Sequence, residues 1–288
     1  MKRRLLFRLA SSDRLETVAI KVAPVRRAAY EAARQYVAGT EQADAFAVAT
    51  SLASEDLDAS IDLFGENTRS QLTADHEAQR FVQLAAALAT VPRTPFLSID
   101  LSHIGLDIDP RRCADRLRGI GERLSAGARL QVGAEDAART NAVHDVVLRC
   151  ARDGLPVECT LQANLRRSPQ DARRLVAGGV SIRLVKGAYV EAREVAHPWG
   201  PATDEAYVGL SALLGELGAD YALATHDDGV RARALRDRGT RRVEMLLGVR
   251  SDDARRLRSL GHEVRVYVPY GERWFRYWAR RVAEGQGA

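Results

Sequence analysis

The chain has 288 residues, of which 46% are hydrophobic and 28% are charged. A chain of this length buries a large core without disulfides or metal ions, and this composition excludes a disordered or collagen-like protein. The net charge is +5, but acidic residues lie among the basic ones, and no basic block is interleaved with aromatic residues. We therefore predict a globular protein that binds no nucleic acid.

The cysteines and the first residues bear on the cellular compartment. Cys113, Cys150 and Cys159 are odd in number and lack C-x-x-C spacing, which argues against a disulfide framework or a zinc site and fits a reducing compartment. Residues 1–8 resemble the basic part of a signal peptide, but polar residues interrupt the apolar stretch. These features predict a cytoplasmic protein without a metal site.

Short apolar, β-branched runs alternate with amphipathic helical stretches from residue 58 onward. This alternation predicts an α/β protein with βαβ units and a parallel sheet, and eight units in a chain of this length favour a (βα)8 TIM-type barrel. The glycine-rich turn of an open doubly wound fold is absent after the first strand. The predicted strands are 59–64, 96–101, 129–134, 157–162, 180–186, 221–225, 243–247 and 263–268. The predicted helices are 109–124, 136–151, 169–176, 204–217, 227–237, 251–260 and 272–283.

The segment before the first strand is predicted to be helical. Pro24 begins one helix and Gly39 ends it, and a second helix follows. Because no linker or low-complexity stretch appears, we expect one domain across 1–288. It would consist of an N-terminal helical segment at 1–57 and the barrel at 58–284.

The carboxyl ends of the strands carry the working residues of barrel enzymes, so their side chains are the first candidates. The fifth strand ends in Arg183, Lys186 and Gly187. Glycine lets a ligand approach the backbone, and lysine supplies a point charge for a phosphate or a reduced flavin. Other strand ends offer hydrogen-bonding groups at Gln162, Thr225 and His226, followed by Asp227, which either binds a ligand or caps the next helix.

The last βα unit combines cations with aromatic rings. Tyr277, Arg280 and Arg281 are spaced i, i+3 and i+4, so they share one face of the helix that follows the strand containing Tyr267. Two guanidinium groups beside aromatic rings suit a carboxylate attached to an apolar ring. Arg-Arg pairs are frequent in this chain, so the dipeptide alone indicates little. The position of Arg280 and Arg281 after the last strand is what makes them candidates. These residues predict a site that binds an anionic cofactor and a small carboxylate. They do not identify either molecule.

Several strings in the sequence resemble the proline dehydrogenase family in their order and spacing. The resemblance implies a barrel that binds FAD without covalent linkage and catalyses a step of proline catabolism, the oxidation of L-proline to 1-pyrroline-5-carboxylate by hydride transfer to the flavin. It also implies electron transfer to a membrane quinone, so the protein could contact the inner membrane peripherally. The resemblance does not specify the oligomeric state. The strings are SIDLFGE, LQANLRR, RLVKGAY, ATHD, MLLGVR, RVYVPYG and YWARR.

The resemblance also assigns roles to individual residues. Arg280 and Arg281 match the pair that grips the substrate carboxylate, Tyr267 and Tyr277 match aromatic residues that contact the substrate ring, and Leu246 matches an apolar wall. The positions that match cofactor contacts in the family are Gln162, Arg183, Lys186, Gly187, Ala188, Thr225 and His226.

Three positions depart from the family pattern. A lysine of the second strand, which helps to bind the substrate carboxylate, is replaced by Asp100, and an aspartate of the third strand is replaced by Gly133. Asn164 replaces a tyrosine after the fourth strand. A carboxylate in place of the lysine is expected to weaken binding of an anionic substrate by roughly 2–5 kcal/mol. Asp100 would instead suit a substrate with a cationic or hydroxylated group.

Four functions therefore stay open from the sequence. The first is a flavin-dependent proline dehydrogenase, and the second is the same flavoenzyme acting on another cyclic or secondary amino acid. The third is a lyase that uses Lys186 as a Schiff-base amine. The fourth is a non-catalytic descendant of the family that serves as a binding protein.

Overall fold

The computed structural model describes residues 23–285 except 94, 237 and 238, so the signal-like start lies outside the described residues. Eight parallel strands follow one another around a closed barrel, and the last strand pairs with the first. This confirms the (βα)8 barrel and excludes the open sheet. The strands are β1 (Asp58–Leu63), β2 (Phe96–Ile99), β3 (Leu130–Val132), β4 (Val157–Gln162), β5 (Ser181–Val185), β6 (Tyr221–Ala224), β7 (Arg242–Leu246) and β8 (Glu263–Tyr270).

Helices surround the barrel, and two further helices precede it, as expected from the sequence. No helix in the described part of the chain is both long and apolar enough to cross a membrane. Assignment of the whole chain to one domain stays a prediction, because its first 22 residues are outside the description. The helices are α1 (Ala23–Ala33), α2 (Gln42–Ser54), α3 (Gln71–Ala87), α4 (Pro110–Gly121), α5 (Thr140–Arg152), α6 (Ser168–Ala177), α7 (Pro201–Glu216), α8 (Asp228–Arg236), α9 (Ser251–Ser259) and α10 (Phe275–Gly285).

Element boundaries differ from the predicted ones where tertiary contacts intervene. Strand β2 is shorter than predicted because the chain turns at Asp100 into a 3-10 helix, Leu101–Ile104. Helix α1 stops well before Gly39 because the chain leaves it to join the barrel, and the amide of Ala38 donates to the carbonyl of Pro269 at 2.9 Å. A tertiary hydrogen bond thus overrides the glycine signal after α1, whereas a local turn ends β2.

The strands alternate between an apolar face and a polar face. Side chains such as Ile61, Ile99 and Ile182 belong to the large hydrophobic core between barrel and helices. The residues next to them in each strand face the barrel interior, and many are polar. Those that line a cavity inside the barrel mouth are Ser98, Gln131, Thr160, Arg183 and Glu244. The packed core therefore lies outside the strands, which leaves the upper interior for function.

A separate aromatic cluster fixes the position of α10 at the barrel mouth. Trp274 and Tyr277 pack with residues of the N-terminal helix, and the ring of Tyr30 lies 5.1 Å from that of Trp274. Burial of such large rings is worth about 1.5–3 kcal/mol each. The N-terminal helix α1 thus supports the helix that carries Arg280 and Arg281.

Candidate active site

The carboxyl ends of the strands enclose a cavity of about 1020 Å³. This volume is at the upper end of the range for small-molecule and cofactor sites. All twelve residues nominated from the sequence line this one cavity, although they come from β4, β5, β7 and β8, from the loops after β5 and β6, and from α10. They are Gln162, Arg183, Lys186, Gly187, Ala188, Thr225, His226, Leu246, Tyr267, Tyr277, Arg280 and Arg281.

Arg183 lies at the floor of the cavity in a buried ion pair. Its Nε donates to Oε2 of Glu244 at 2.6 Å, and its guanidinium carbon lies 5.9 Å from the centre of the Tyr267 ring. Gln131 also donates to Glu244 at 3.0 Å and to Glu158 at 2.7 Å. A buried charge is tolerated only with such partners, so this network holds the Arg183 side chain in one orientation.

Lys186 follows β5 at a turn in which Gly187 has φ 111°, a conformation that favours glycine. The ammonium lies 2.6 Å from a carboxylate oxygen of Asp204 and 2.8 Å from one of Asp227. Asp227 also accepts from the amide of Val230, so it caps α8. Two carboxylates hold the lysine nitrogen in ion pairs, so it is engaged by the protein and is not free to attack a carbonyl substrate. This arrangement argues against a Schiff-base lyase.

His226 is a neutral imidazole with one nitrogen available. Its Nε2 accepts the amide of Leu246 at 3.1 Å, which assigns the ring proton to Nδ1. Burial and the nearby charge of Arg281 lower the pKa of His226 to about 4. Nδ1 is buried and has no hydrogen-bond partner among the described residues, so it can donate to a ligand in the cavity.

The other side of the cavity combines guanidinium groups and aromatic rings. The guanidinium carbon of Arg281 lies 5.0 Å from the ring centre of Tyr277, which confirms that the two share a helix face. The rings of Tyr277 and Tyr267 are 6.0 Å apart, and Leu246 lies nearby in register with Tyr267. These groups can bind a carboxylate and an apolar ring together.

Asp100 and Gly133 adjoin this side of the cavity and contact each other. A Cβ atom at position 133 would overlap Oδ1 of Asp100 and lie 3.1 Å from its Cγ. Burial and the charges of Glu135 and other carboxylates raise the pKa of Asp100 well above its ordinary value, while Arg280 opposes this rise. The two departures from the family pattern therefore form one local arrangement.

The third departure, Asn164, lies beneath the Gly187 turn and does not line the cavity. The backbone amide of Asn164 donates to the carbonyl of Lys186 at 2.9 Å. Its side chain fills the space that a Cβ at Gly187 would occupy. Asn164 therefore shapes the turn that follows β5, and Gly187 lies between it and the cavity.

Several residues that line the same cavity were not nominated from the sequence, among them Tyr189, Trp199 and Glu244. Tyr189 ends the RLVKGAY string, and its hydroxyl donates to the carbonyl of Ala134 at 3.1 Å. Its position three residues after Lys186 was a usable signal. Glu244 precedes Leu246 by two residues and so faces the same side of β7, which alternation predicts. Trp199 had no comparable signal in the sequence.

Comparison with known proteins defines the class. A family model described as proline dehydrogenase matches residues 45–288. Proline dehydrogenase 1 of Bacillus subtilis (strain 168) is 32% identical over 263 residues, which cover 88% of this chain and 86% of that protein. A proline dehydrogenase of Deinococcus radiodurans is 30% identical over 276 residues, covering 90% and 88%. The chain belongs to the proline dehydrogenase family.

Solved structures share the fold. The crystal structure of proline utilization A from Bdellovibrio bacteriovorus, inactivated by N-propargylglycine, superposes with a TM-score of 0.80 at 19% sequence identity. The match covers 99% of this chain but only 36% of that one, so our chain is similar to about a third of the larger protein. At this identity the likeness supports the barrel fold alone.

Proposed function

We propose that this protein is an FAD-dependent proline dehydrogenase, an oxidoreductase that converts L-proline to 1-pyrroline-5-carboxylate. Membership of the family and the names of its relatives support this proposal. The observation that carries it is the convergence of twelve nominated residues, from both halves of the barrel, on one cavity. Unrelated surface residues would not be expected to converge in this way.

The cavity fits a flavin in its volume and in its polar groups. The buried Nδ1–H of His226 lacks a protein partner and is available to an acceptor atom of the cofactor. Gln162, whose Nε2 donates to the carbonyl of Glu135, retains a side-chain oxygen that can accept a hydrogen bond. When bound, the flavin supplies the acceptor for the hydride that leaves the carbon beside the proline nitrogen.

The protein's own residues would bind and orient the substrate. Arg280 and Arg281 are proposed to hold the carboxylate, because guanidinium groups bind carboxylates through paired hydrogen bonds. Tyr267 and Tyr277 would contact the apolar ring, and Leu246 would close the remaining wall. Holding the ring between these groups excludes water and fixes the carbon to be oxidised.

We further propose a membrane quinone as the electron acceptor, as the family resemblance implies. Val190 and Trp199 support this proposal, since they line the cavity yet are 50% and 46% exposed. Exposed apolar side chains at a cavity entrance suit an apolar partner. A short-chain quinone should therefore reoxidise the reduced protein faster than a charged, water-soluble acceptor does.

Anaerobic spectroscopy of the purified protein tests the proposal. We expect flavin absorbance in the visible region, its loss on addition of L-proline, and formation of the cyclic imine, identified by mass spectrometry. A primary amino acid such as glycine serves as the control and should leave the spectrum unchanged. A colourless protein that takes up no FAD would contradict the proposal and support a non-catalytic family member. Bound flavin that no proline-like substrate reduces would contradict it as well.

A further inference from the structure

Asp100 offers a free carboxyl group to two adjoining cavities. A second cavity of about 730 Å³ shares Glu66, Asp100, Tyr267, Tyr277 and Arg280 with the larger one. Asp100 begins the 3-10 helix after β2, yet its side chain does not cap that helix. Among the described residues, none donates a hydrogen bond to this carboxyl, so it is available to a ligand.

The charges around Asp100 are mainly negative. Asp62 of β1, Glu66 after β1 and Glu135 after β3 face it, whereas Arg280 of α10 is the cation that opposes them. Two phenols complete the surroundings, those of Tyr267 in β8 and Tyr189 after β5. A further anion would be repelled here, while a hydrogen-bond donor would be attracted.

Gly133 determines where the Asp100 carboxyl lies. Oδ1 of Asp100 occupies the space of a Cβ at position 133, and the backbone φ of Gly133 is not in the positive range. The glycine is therefore not required by backbone conformation and instead makes room for the carboxyl. Because Gly133 has no side chain, the side chain of Asp100 occupies the space at both positions and lines the cavity.

A hydroxyl group is the ligand substituent that suits this carboxyl best. An ammonium would need the ionised form of Asp100, and a carboxylate would need the protonated form. A hydroxyl both donates and accepts, so it forms a hydrogen bond with either form. Burial and the neighbouring carboxylates raise the pKa of Asp100, which favours the protonated carboxyl, and a hydroxyl forms a hydrogen bond with that form as well as with the carboxylate.

We infer that Asp100 is a specificity-determining residue, and that the preferred substrate is a cyclic secondary amino acid whose ring carries a hydroxyl group. This inference rests on the proposed function, because Arg280 and Arg281 must hold the carboxylate of the same ring. Gly133 supports the role by leaving space for the Asp100 carboxyl.

The test compares kcat/KM for L-proline, both diastereomers of 4-hydroxy-L-proline and the matching 4-fluoro-L-prolines. Fluorine withdraws electrons and is similar in size to a hydroxyl, but it donates no hydrogen bond. We expect one hydroxyl compound to exceed both proline and its fluoro counterpart by about tenfold or more. In Asp100→Leu this preference should fall to about twofold or less. Equal rates in the wild type, or a preference that persists in Asp100→Leu, would overturn the inference.

Gly133→Ala provides a second variant that keeps the carboxyl but displaces it. It should lower the hydroxyl preference while the flavin content stays unchanged, whereas an unaltered preference would count against the inference. Asp145→Asn is the matched control, because this carboxylate pairs with Arg174 on the outer surface. If proline and fluoroproline reduce the flavin as fast as hydroxyproline does, this inference fails and the proposed function stands. If none reduces it, both fail.

Discussion

The carboxyl of Asp100 occupies the space into which a side chain at Gly133 would extend. The two residues follow Ile99 and Val132, which are paired in register across β2 and β3. In the family pattern that the sequence resembles, a carboxylate is expected directly after β3, whereas in this chain one directly follows β2 instead. The position of the Asp100 carboxyl therefore depends on the absence of a side chain at position 133.

This coupling is measurable by a double-mutant cycle. Gly133→Ala alone should lower the free energy of unfolding by about 1–3 kcal/mol, because its Cβ overlaps the Asp100 carboxyl. In the Asp100→Ala background the same substitution should cost less than about 0.5 kcal/mol. Urea denaturation of the four proteins gives the coupling energy. Additive effects would show that the two side chains do not compete for space.

Glu244→Gln should weaken the retention of flavin by disturbing Arg183. The substitution removes the charge that pairs with the guanidinium at 2.6 Å and leaves only the more indirect charge of Glu158 to balance the buried Arg183. Breaking a buried pair in this way typically costs about 3–5 kcal/mol. We expect a lower unfolding free energy, measured by urea denaturation. We also expect a higher Kd for FAD, measured by fluorescence titration of the apoprotein.

Glu205→Gln is the control for this experiment. Glu205 also pairs with an arginine, Arg233, at 2.6 Å, but its side chain is largely exposed on the outside of the barrel. Exposed pairs contribute about 0–1 kcal/mol, so this variant should retain both flavin affinity and stability. Similar losses in the two variants would mean that the Glu244 effect is not specific to the site.

Arg280→Ala should raise KM for the amino acid far more than it lowers flavin content. The loss of one guanidinium from the pair proposed to hold the carboxylate is expected to weaken binding by about 2–5 kcal/mol. Arg280→Lys should recover part of the affinity, since it restores the charge without the planar fork. Flavin occupancy from the visible spectrum and steady-state kinetics provide the comparison. An equal loss of flavin and substrate affinity would contradict the assigned role.

The stability of the protein should decrease as the pH falls from about 6.5 to about 4, in part because of His226. Its pKa is lowered on folding, so the folded state favours the neutral ring. That contribution is fully present above pH 6.5 and is lost as the pH approaches 4; it amounts to at most about 3 kcal/mol. His226→Gln should flatten this part of the dependence of unfolding free energy on pH. Urea denaturation at each pH measures that dependence. An unchanged profile would mean that His226 titrates normally.

The sequence predicted the barrel because its strands are short, β-branched and regularly separated by helices. The residues nominated from the sequence line one cavity because the carboxyl ends of parallel strands meet at one face, wherever they lie in the chain. Lys186 and Asp227, for example, are 41 residues apart, yet each follows its strand and they form an ion pair. Position within a βα unit was therefore sufficient to bring these residues together.

Contacts across the barrel interior could not be predicted in the same way. Arg183 and Glu244 lie on β5 and β7, with β6 between them, and meet because the barrel closes around its interior. The contact between Asp100 and Gly133 depends on the register of two short strands and on the turn after β2, and neither has a signature in the sequence. Prediction from sequence therefore nominated residues that line the cavity, but it did not predict which side chains they contact.

One cavity is proposed to hold a flavin beside a site for a ring carboxylate. A difference spectrum tests it most directly, with cyclopentanecarboxylate as a ligand that has no nitrogen and cannot be oxidised. We predict that this compound perturbs the visible bands of the bound flavin, competes with proline, and loses about tenfold or more in affinity in Arg280→Ala. A flavin spectrum that does not respond, or an affinity that Arg280→Ala leaves unchanged, would contradict the account.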